Sequence, residues 1–115
     1  MPRTSHTPID PGEEEIITFD FAPAFSPGVT ITGVTQMKAS AIANATRDPN
    51  PQSRILSAPT LIASPTTGAA LQAVKVLFGD AVAGVVYQLA CVVTASDSQT
   101  LAIRWNLPCS QPPGT

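Results

Sequence analysis

Two alternating apolar segments within residues 80–107, joined by a short polar turn, constrain the fold of this chain more than any other stretch. By the period of two of a β-strand, the first segment places four side chains on one face: Tyr87, Leu89, Cys91 and Val93. The second segment does the same with Leu101, Ile103, Trp105 and Leu107. Two such strands form a hairpin, and a lone hairpin cannot bury its apolar face. The earlier part of the chain must therefore supply an opposing sheet.

Short strand-like segments at spacings of about ten residues precede the hairpin. They cover residues 16–21, 29–40, 54–64 and 71–78, and segments rich in proline or glycine separate them. Pro59 interrupts the third segment, so we expect either two short edge pieces or a strand that changes sheets. The total of roughly six or seven strands, without an amphipathic helix, is typical of an all-β sandwich.

The approach to the first hairpin strand resembles the tyrosine corner of immunoglobulin-like sandwiches. Asp80 and Gly84 precede Tyr87, and Leu89 follows two residues later. In such sandwiches a tyrosine early in the penultimate strand forms a hydrogen bond with the preceding connection. A buried phenol also needs a polar partner. We therefore predict an immunoglobulin-like β-sandwich in which Tyr87 has a structural role.

The length and the proline distribution divide the chain into one domain with two extended ends. At 115 residues the chain has the size of an ordinary single domain. Residues 1–15 carry three prolines and end in the acidic triplet Glu13–Glu15, so we predict an extended N-terminal arm. Residues 16–107 form the predicted sandwich. Residues 108–115, which carry three more prolines, form a predicted irregular C-terminal tail.

Composition argues against several classes of partner. The formal net charge of -2, with scattered lysines and arginines, predicts that the chain does not bind nucleic acid. No segment approaches the roughly 20 apolar residues of a membrane span, and the first 15 residues lack the apolar core of a signal peptide. We therefore expect synthesis in a cytoplasm. There Cys91 and Cys109 are expected to be a reduced pair, with a disulfide between them as the alternative.

The sequence offers no set of residues that predicts catalysis, a metal site or a cofactor. His6, the single histidine, lies in the N-terminal arm, and two separated cysteines do not match a metal-ligand spacing. Four aspartates remain as candidates for a carboxylate pair: Asp20, Asp48, Asp80 and Asp97. Because three of them fall at predicted turns, where aspartate is a default residue, we interpret them as turn chemistry. Trp105 has the parity of the core residues and not that of a sugar-binding platform. We therefore predict that the chain is not an enzyme.

Several short motifs resemble the small immunoglobulin-like virion proteins of tailed bacteriophages, and the phage fiber-tail adaptor family in particular. The motifs are TFDFAP at 18–23, PGVTI at 27–31, GVVYQL at 84–89 and VTA at 93–95. With the final strand that follows them, the resemblance covers about Ile16 to Leu107. The chain departs from the family pattern at Ala24 and Phe25, where a tryptophan-rich segment is common, and at the long 44–53 insertion. Its hairpin turn at 96–98 also lacks the usual glycine.

The resemblance implies a structural protein of the virion, made in the cytoplasm of a bacterial host. In this interpretation the chain is an adaptor that attaches fibers to the tail, its partners are other virion proteins, and it is a homo-oligomer in the particle. The expected contact regions are Met1–Glu15, Asn44–Ser53 and Pro108–Thr115. A capsid decoration or cement protein is the first alternative, and an immunoglobulin-like module that binds carbohydrate or a cell surface is the second. Copy number, symmetry and the choice between tail and capsid stay open at this point.

Overall fold

The computed structural model describes residues 13–109, which form two three-stranded antiparallel sheets packed face to face. The six strands are β1 (Glu15–Asp20), β2 (Ile31–Ala43), β3 (Thr60–Ile62), β4 (Ala73–Phe78), β5 (Val86–Ala95) and β6 (Thr100–Pro108). One sheet has the order β1-β4-β3 and the other has the order β2-β5-β6. The prediction of an all-β sandwich is confirmed.

The predicted C-terminal hairpin consists of β5 and β6, with β5 at the centre of its sheet. The register runs without interruption from Val86 opposite Pro108 to Thr94 opposite Thr100. The four inward side chains predicted for β5 are fully buried, which for apolar groups of this size contributes roughly 1.5–3 kcal/mol each. In β6, Ile103 and Leu107 are buried, while Trp105 is half-buried and packs against the core.

The opposing sheet supplies the other half of the core from β1 and β4. Ile17 and Phe19 of β1 pack with the three buried apolar side chains of β4: Val74, Val76 and Phe78. The ring of Phe78 meets the ring of Tyr87 edge to face, with centroids 5.3 Å apart and an interplanar angle of 71°. This is a favoured geometry for two aromatic rings, and it joins the two sheets near one end of the sandwich.

The segment interrupted by Pro59 forms two short edge pieces along the same side of β4. Ile55 makes an isolated bridge to Phe78, and β3 pairs over three residues, from Thr60 opposite Lys75 to Ile62 opposite Ala73. Proline has no backbone N–H and cannot continue a hydrogen-bonded ladder, which explains the gap between the pieces. Of the two predicted alternatives, two edge pieces is therefore correct and a change of sheet is wrong.

Regular pairing extends beyond the predicted boundaries of the sandwich. β1 begins at Glu15, β6 includes Pro108, and the backbone N–H of Cys109 donates to the carbonyl of Val85 at 2.9 Å. The prediction of an irregular tail from residue 108 is thus wrong for Pro108 and Cys109. Proline is tolerated there because β6 is an edge strand. The remainder of the predicted arms, residues 1–12 and 110–115, lies outside the described residues.

The two cysteines are buried thiols that the fold keeps apart, as expected for a reduced pair. Cys109 pairs with Val85, and Cys91 lies six residues further along the strand direction of β5. At about 3.3 Å per residue the separation is roughly 20 Å. A disulfide requires Cα atoms within about 7 Å, so the alternative of a bridge between them is wrong. Burial also raises the pKa of the Cys91 thiol to about 12.

Candidate functional site

The described parts of the three predicted contact regions, residues 13–15, 44–53 and 108–109, lie at one end of the sandwich. Glu15 at the start of β1 lies opposite Phe78 at the end of β4, and Pro108 at the end of β6 lies opposite Val86 at the start of β5. The connection 79–85 runs between these pairs, and its Gly84 N–H donates to the Cys109 carbonyl at 3.1 Å. We call this the terminal end, formed by residues 13–15, 44–54, 79–85 and 107–109.

The 44–54 loop follows β2 and lies against the 79–85 connection. Two short 3-10 helices, Ala45–Arg47 and Pro51–Arg54, give it regular local structure. The side-chain amide of Asn44, whose backbone is left-handed with φ 55°, donates to the Gly84 carbonyl at 2.7 Å. Arg47 donates to the Ala83 carbonyl at 3.3 Å. The sequence predicted this segment as a loop but gave no indication of these attachments.

Gln52 holds the same loop to the outer edge of β2. Its side-chain oxygen accepts from the backbone N–H of Ala39, and its side-chain nitrogen donates to the carbonyl of Met37, both at 2.9 Å. One amide side chain therefore occupies the donor and acceptor positions that a neighbouring strand would use. This contact covers part of the free edge of β2.

Asp48 is the centre of the terminal end, and its side chain has no exposed surface. The carboxylate accepts two hydrogen bonds from the Arg54 guanidinium, at 2.9 and 3.2 Å. It accepts a third from the Tyr87 hydroxyl at 2.5 Å and a fourth from the Asn50 backbone N–H at 3.1 Å. The Tyr87 oxygen in turn accepts from the Val82 N–H at 2.9 Å. The loop, the 79–85 connection and β5 thus meet at one buried carboxylate.

The charges at this site reinforce the hydrogen bonds. The bonds from Arg54 outweigh the opposing effect of burial and, together with the Tyr87 bond, lower the pKa of Asp48 to about 2. Burial, followed by the bond to Asp48, raises the pKa of Tyr87 to about 12. At neutral pH the site is therefore an ion pair with a neutral phenol donor. Charged partners make such hydrogen bonds stronger than those between neutral groups.

The sequence predicts the hydrogen bond of Tyr87 but not the burial of Asp48. The predicted hydrogen bond between Tyr87 and the preceding connection is confirmed at Val82. The sequence predicts turn chemistry for Asp48, whereas the structure buries its side chain and bonds it to the Tyr87 hydroxyl. The available signal was one acidic residue between two arginines, Arg47 and Arg54, in a loop with no other charge.

The opposite end of the sandwich has a second aspartate in a more polar setting. We call it the hairpin end, formed by residues 20–30, 63–72 and 96–99. Asp20 accepts hydrogen bonds from the Thr66 hydroxyl at 2.7 Å, the Ser64 hydroxyl at 3.0 Å and the Ala22 N–H at 3.1 Å. Burial raises the pKa of Asp20, but these bonds together outweigh it and leave the pKa below its usual value.

The structure does not assemble the four candidate aspartates into one site. Asp20 lies at the hairpin end, where Asp97 accepts from the Gln99 N–H at 3.2 Å within the β5–β6 turn. Asp48 and Asp80 lie at the terminal end, and Asp80 is exposed. Within residues 13–109 no group of three or more histidine, cysteine or acidic side chains is placed to hold a metal ion. No helix in that range has the length and hydropathy that a membrane span needs.

No protein family model, curated protein or solved structure matches the chain. The terminal end combines a loop held by the buried Asp48 carboxylate with the first and last described residues of the chain.

Proposed function

We propose that the chain is a structural virion protein of a tailed bacteriophage that acts as a tail-associated adaptor for fibers. The observation that carries the proposal is the meeting of three segments at the terminal end: residues 13–15, the 44–54 loop and residues 107–109. An adaptor must hold one neighbour firmly in a fixed orientation. A loop held by hydrogen bonds, beside the first and last described residues, supplies a shaped surface, and the segments beyond those residues are proposed to lie across adjacent subunits.

We further propose that the sandwich is of the immunoglobulin-like type. The orders β1-β4-β3 and β2-β5-β6 correspond to the strands B-E-D and C-F-G of a constant-type domain. Tyr87 stands near the start of the penultimate strand, and its hydroxyl is bonded to Val82 in the preceding connection. Both features support this assignment, because a tyrosine corner occupies that position in such domains.

The motifs that resemble the phage adaptor family include several residues that build the core. Phe19, Phe21, Ile31, Tyr87 and Leu89 are all buried. The resemblance therefore supports a common sandwich, while the surface at the terminal end is free to fit a particular neighbour. The partners in this proposal are other virion proteins and further copies of the chain, and neither nucleic acid, a membrane nor a catalytic activity is part of it.

Immunogold electron microscopy of phage particles whose genome encodes this chain tests the proposal. An antibody to the chain is expected to label the tail. Quantified against the major capsid protein, the copy number per particle should be on the order of tens at most. Label over the whole capsid at hundreds of copies per particle would favour a cement protein over a tail adaptor. Absence of the chain from purified particles would contradict both forms of the proposal.

The alternative of a carbohydrate-binding module receives no support from the aromatic side chains. All six of them are buried or half-buried: Phe19, Phe21, Phe25, Phe78, Tyr87 and Trp105. A sugar platform requires an exposed ring face, so we expect no change in Trp105 fluorescence on titration with glycans. A saturable change in Trp105 fluorescence would support the carbohydrate-binding module.

A further inference from the structure

The outer face of the β1-β4-β3 sheet carries a row of three apolar side chains. Ile16 of β1 lies directly opposite Leu77 of β4. On the other side of β4, the backbone N–H of Leu56 donates to the Leu77 carbonyl at 2.8 Å, which places Leu56 in the same row. The neighbours of Leu77 along β4, Val76 and Phe78, are buried in the core. Because side chains alternate along a strand, the row of Ile16, Leu77 and Leu56 faces outward.

This apolar row is exposed and borders a groove. Ile16 is 59% exposed, the largest fraction for any large apolar side chain within residues 13–109, and Leu56 is 36% exposed. Leu77 is half-buried and lines, with Ile16 and Lys75, a groove of about 250 Å³. Single apolar side chains on a surface are ordinary, but adjacent ones beside a groove are typical of a contact surface.

One charge of each sign lies beside the row, at equal distances along the strands. Lys75 is exposed and lies two residues before Leu77 in β4. Glu14 lies two residues before Ile16, and because β1 and β4 are antiparallel this is the other side of the row. The Cγ atom of Glu14 is 2.9 Å from the position of a Cβ atom built on Gly79, so Glu14 leans over β4. At about 3.3 Å per residue, each charge is roughly 7 Å from the row.

The two charges are too far apart to pair within one molecule, but a second copy can bring them together. They are four residues apart along β4, or roughly 13 Å. In the described part of the chain, neither the Lys75 ammonium nor the Glu14 carboxylate has an ion-pair or hydrogen-bond partner. A two-fold axis along the apolar row exchanges its two sides. Lys75 of each copy then meets Glu14 of the other, and each apolar side chain stacks on its own counterpart.

The equal spacing of the charges favours a second copy as the occupant of this face. A two-fold interface must be self-complementary, so opposite charges must lie at positions that the axis exchanges. The outer face of the β2-β5-β6 sheet fails this condition. Its charged side chains within the described residues are Lys38 and Arg104, which lie in register on either side of Ala90. A face with charges of one sign repels its own copy, whereas the β1-β4-β3 face attracts it.

We propose that two copies of the chain pair through the outer faces of their β1-β4-β3 sheets, with the apolar row on the two-fold axis and a Lys75–Glu14 ion pair on each side. The face is three strands, or about 15 Å, wide, which is small for a specific interface, so we expect a weak dimer. The inference goes beyond the proposed function, because it assigns a sheet face that the adaptor proposal does not use.

Charge reversal in the full-length chain tests the pairing. In Lys75→Glu each new carboxylate meets Glu14 of the other copy, and in Glu14→Lys each new ammonium meets Lys75. We expect either variant alone to have a dimer association constant lower by roughly tenfold or more. An equimolar mixture of the two variants restores both ion pairs in a mixed dimer. The mixture should therefore associate about as strongly as the original chain.

Sedimentation velocity at chain concentrations up to about 1 mM measures the association. Lys38→Glu is the matched control, because it makes the same charge change at an exposed position on the other sheet. This variant should dimerise like the original chain. The three substituted residues are all exposed, so their thermal unfolding should be nearly unchanged.

Three results would each overturn the inference: a full-length chain that is monomeric at about 1 mM, a Lys75→Glu variant that associates like the original chain, or a mixture no stronger than the single variants. A monomeric chain whose Lys75→Glu variant is lost from particles would assign the face to another virion protein instead of a second copy. Dimerisation by a chain that is absent from particles would contradict only the proposed function.

Discussion

Each end of the sandwich contains one aspartate that ties a loop to the sheets, but the two sites are built differently. At the terminal end, Asp48 is fully buried and its partners are a guanidinium, a phenol and one backbone N–H. At the hairpin end, Asp20 is only partly buried, and its described partners are two hydroxyls and a backbone N–H. Both carboxylates have a lowered pKa, but that of Asp48 falls to about 2.

This difference in burial and partners indicates that the 44–54 loop is an integral part of the fold. Thr66 is exposed, so water can replace Asp20 there, and the buried Ser64 hydroxyl would still accept from the Thr66 and Thr67 N–H groups. Loss of Asp48 would leave the buried Tyr87 hydroxyl and the partly exposed Arg54 guanidinium without their partner, and removal of one member of such a pair is destabilising. The 44–54 loop therefore depends on the Asp48 carboxylate, and we expect the loop to lose its structure when that carboxylate is removed.

Replacing Asp48 should have the largest effect. We expect Asp48→Ala to lower the free energy of unfolding by about 3–5 kcal/mol, because it breaks a buried ion pair from one side. Urea unfolding followed by Trp105 fluorescence measures the change. The control is Asp97→Asn in the exposed hairpin turn, where the side-chain oxygen is kept and little change is expected. Equal effects of the two substitutions would mean that the Asp48 site does not stabilise the terminal end.

Removing only the Tyr87 hydroxyl should have the next largest effect. Tyr87→Phe keeps the ring contact with Phe78 but deletes the donor to Asp48 and the acceptor for Val82 N–H. We expect a loss of about 2–3 kcal/mol, typical of a buried hydrogen bond to a charged group. A double-mutant cycle with Asp48→Ala should show that the two losses are not additive. Full additivity would contradict a shared network.

Acid should weaken the terminal end through Asp48. Because the pKa is lowered in the folded protein from 3.8 to about 2, the contribution is complete above pH 4 and is lost as the pH falls toward 2. The expected loss is about 2 kcal/mol in the free energy of unfolding. Comparison with Asp48→Asn isolates the contribution of Asp48. In that variant the free energy of unfolding should change less between pH 4 and pH 2. Parallel profiles would show that Asp48 titrates normally.

Asp20→Asn should have the smallest effect and completes the comparison. The amide removes the charge and keeps one acceptor oxygen, so it can retain the bonds that Ser64 and the Ala22 N–H donate to Oδ1 but not the bond that Thr66 donates to Oδ2. We expect a loss of about 1 kcal/mol, as for one ordinary hydrogen bond. A loss as large as that of Asp48→Ala, measured by the same urea titration, would erase the distinction between the two ends.

The sequence predicted those parts of the fold that local periodicity encodes. Alternation in β5 and β6 identified the core faces, and Pro59 identified the break between two edge pieces. Asp48 was not predictable in this way, because its phenol partner Tyr87 lies 39 residues away and only the fold brings them together. The role of Gln52 was also hidden, since an amide in a polar loop carries no sign that it binds a strand edge.

Backbone amide hydrogen exchange of the 44–54 loop tests most directly the claim that this loop is a fixed part of the terminal end. Arg47, Asp48 and Ser53 donate backbone hydrogen bonds within the loop. We expect these amides to exchange slowly in the original chain and roughly 100-fold faster in Asp48→Asn. The amides of Thr66 and Thr67, which donate to the Ser64 hydroxyl at the hairpin end, should change much less. Rapid exchange of the loop in the original chain, or equal acceleration at both ends in the variant, would contradict the claim.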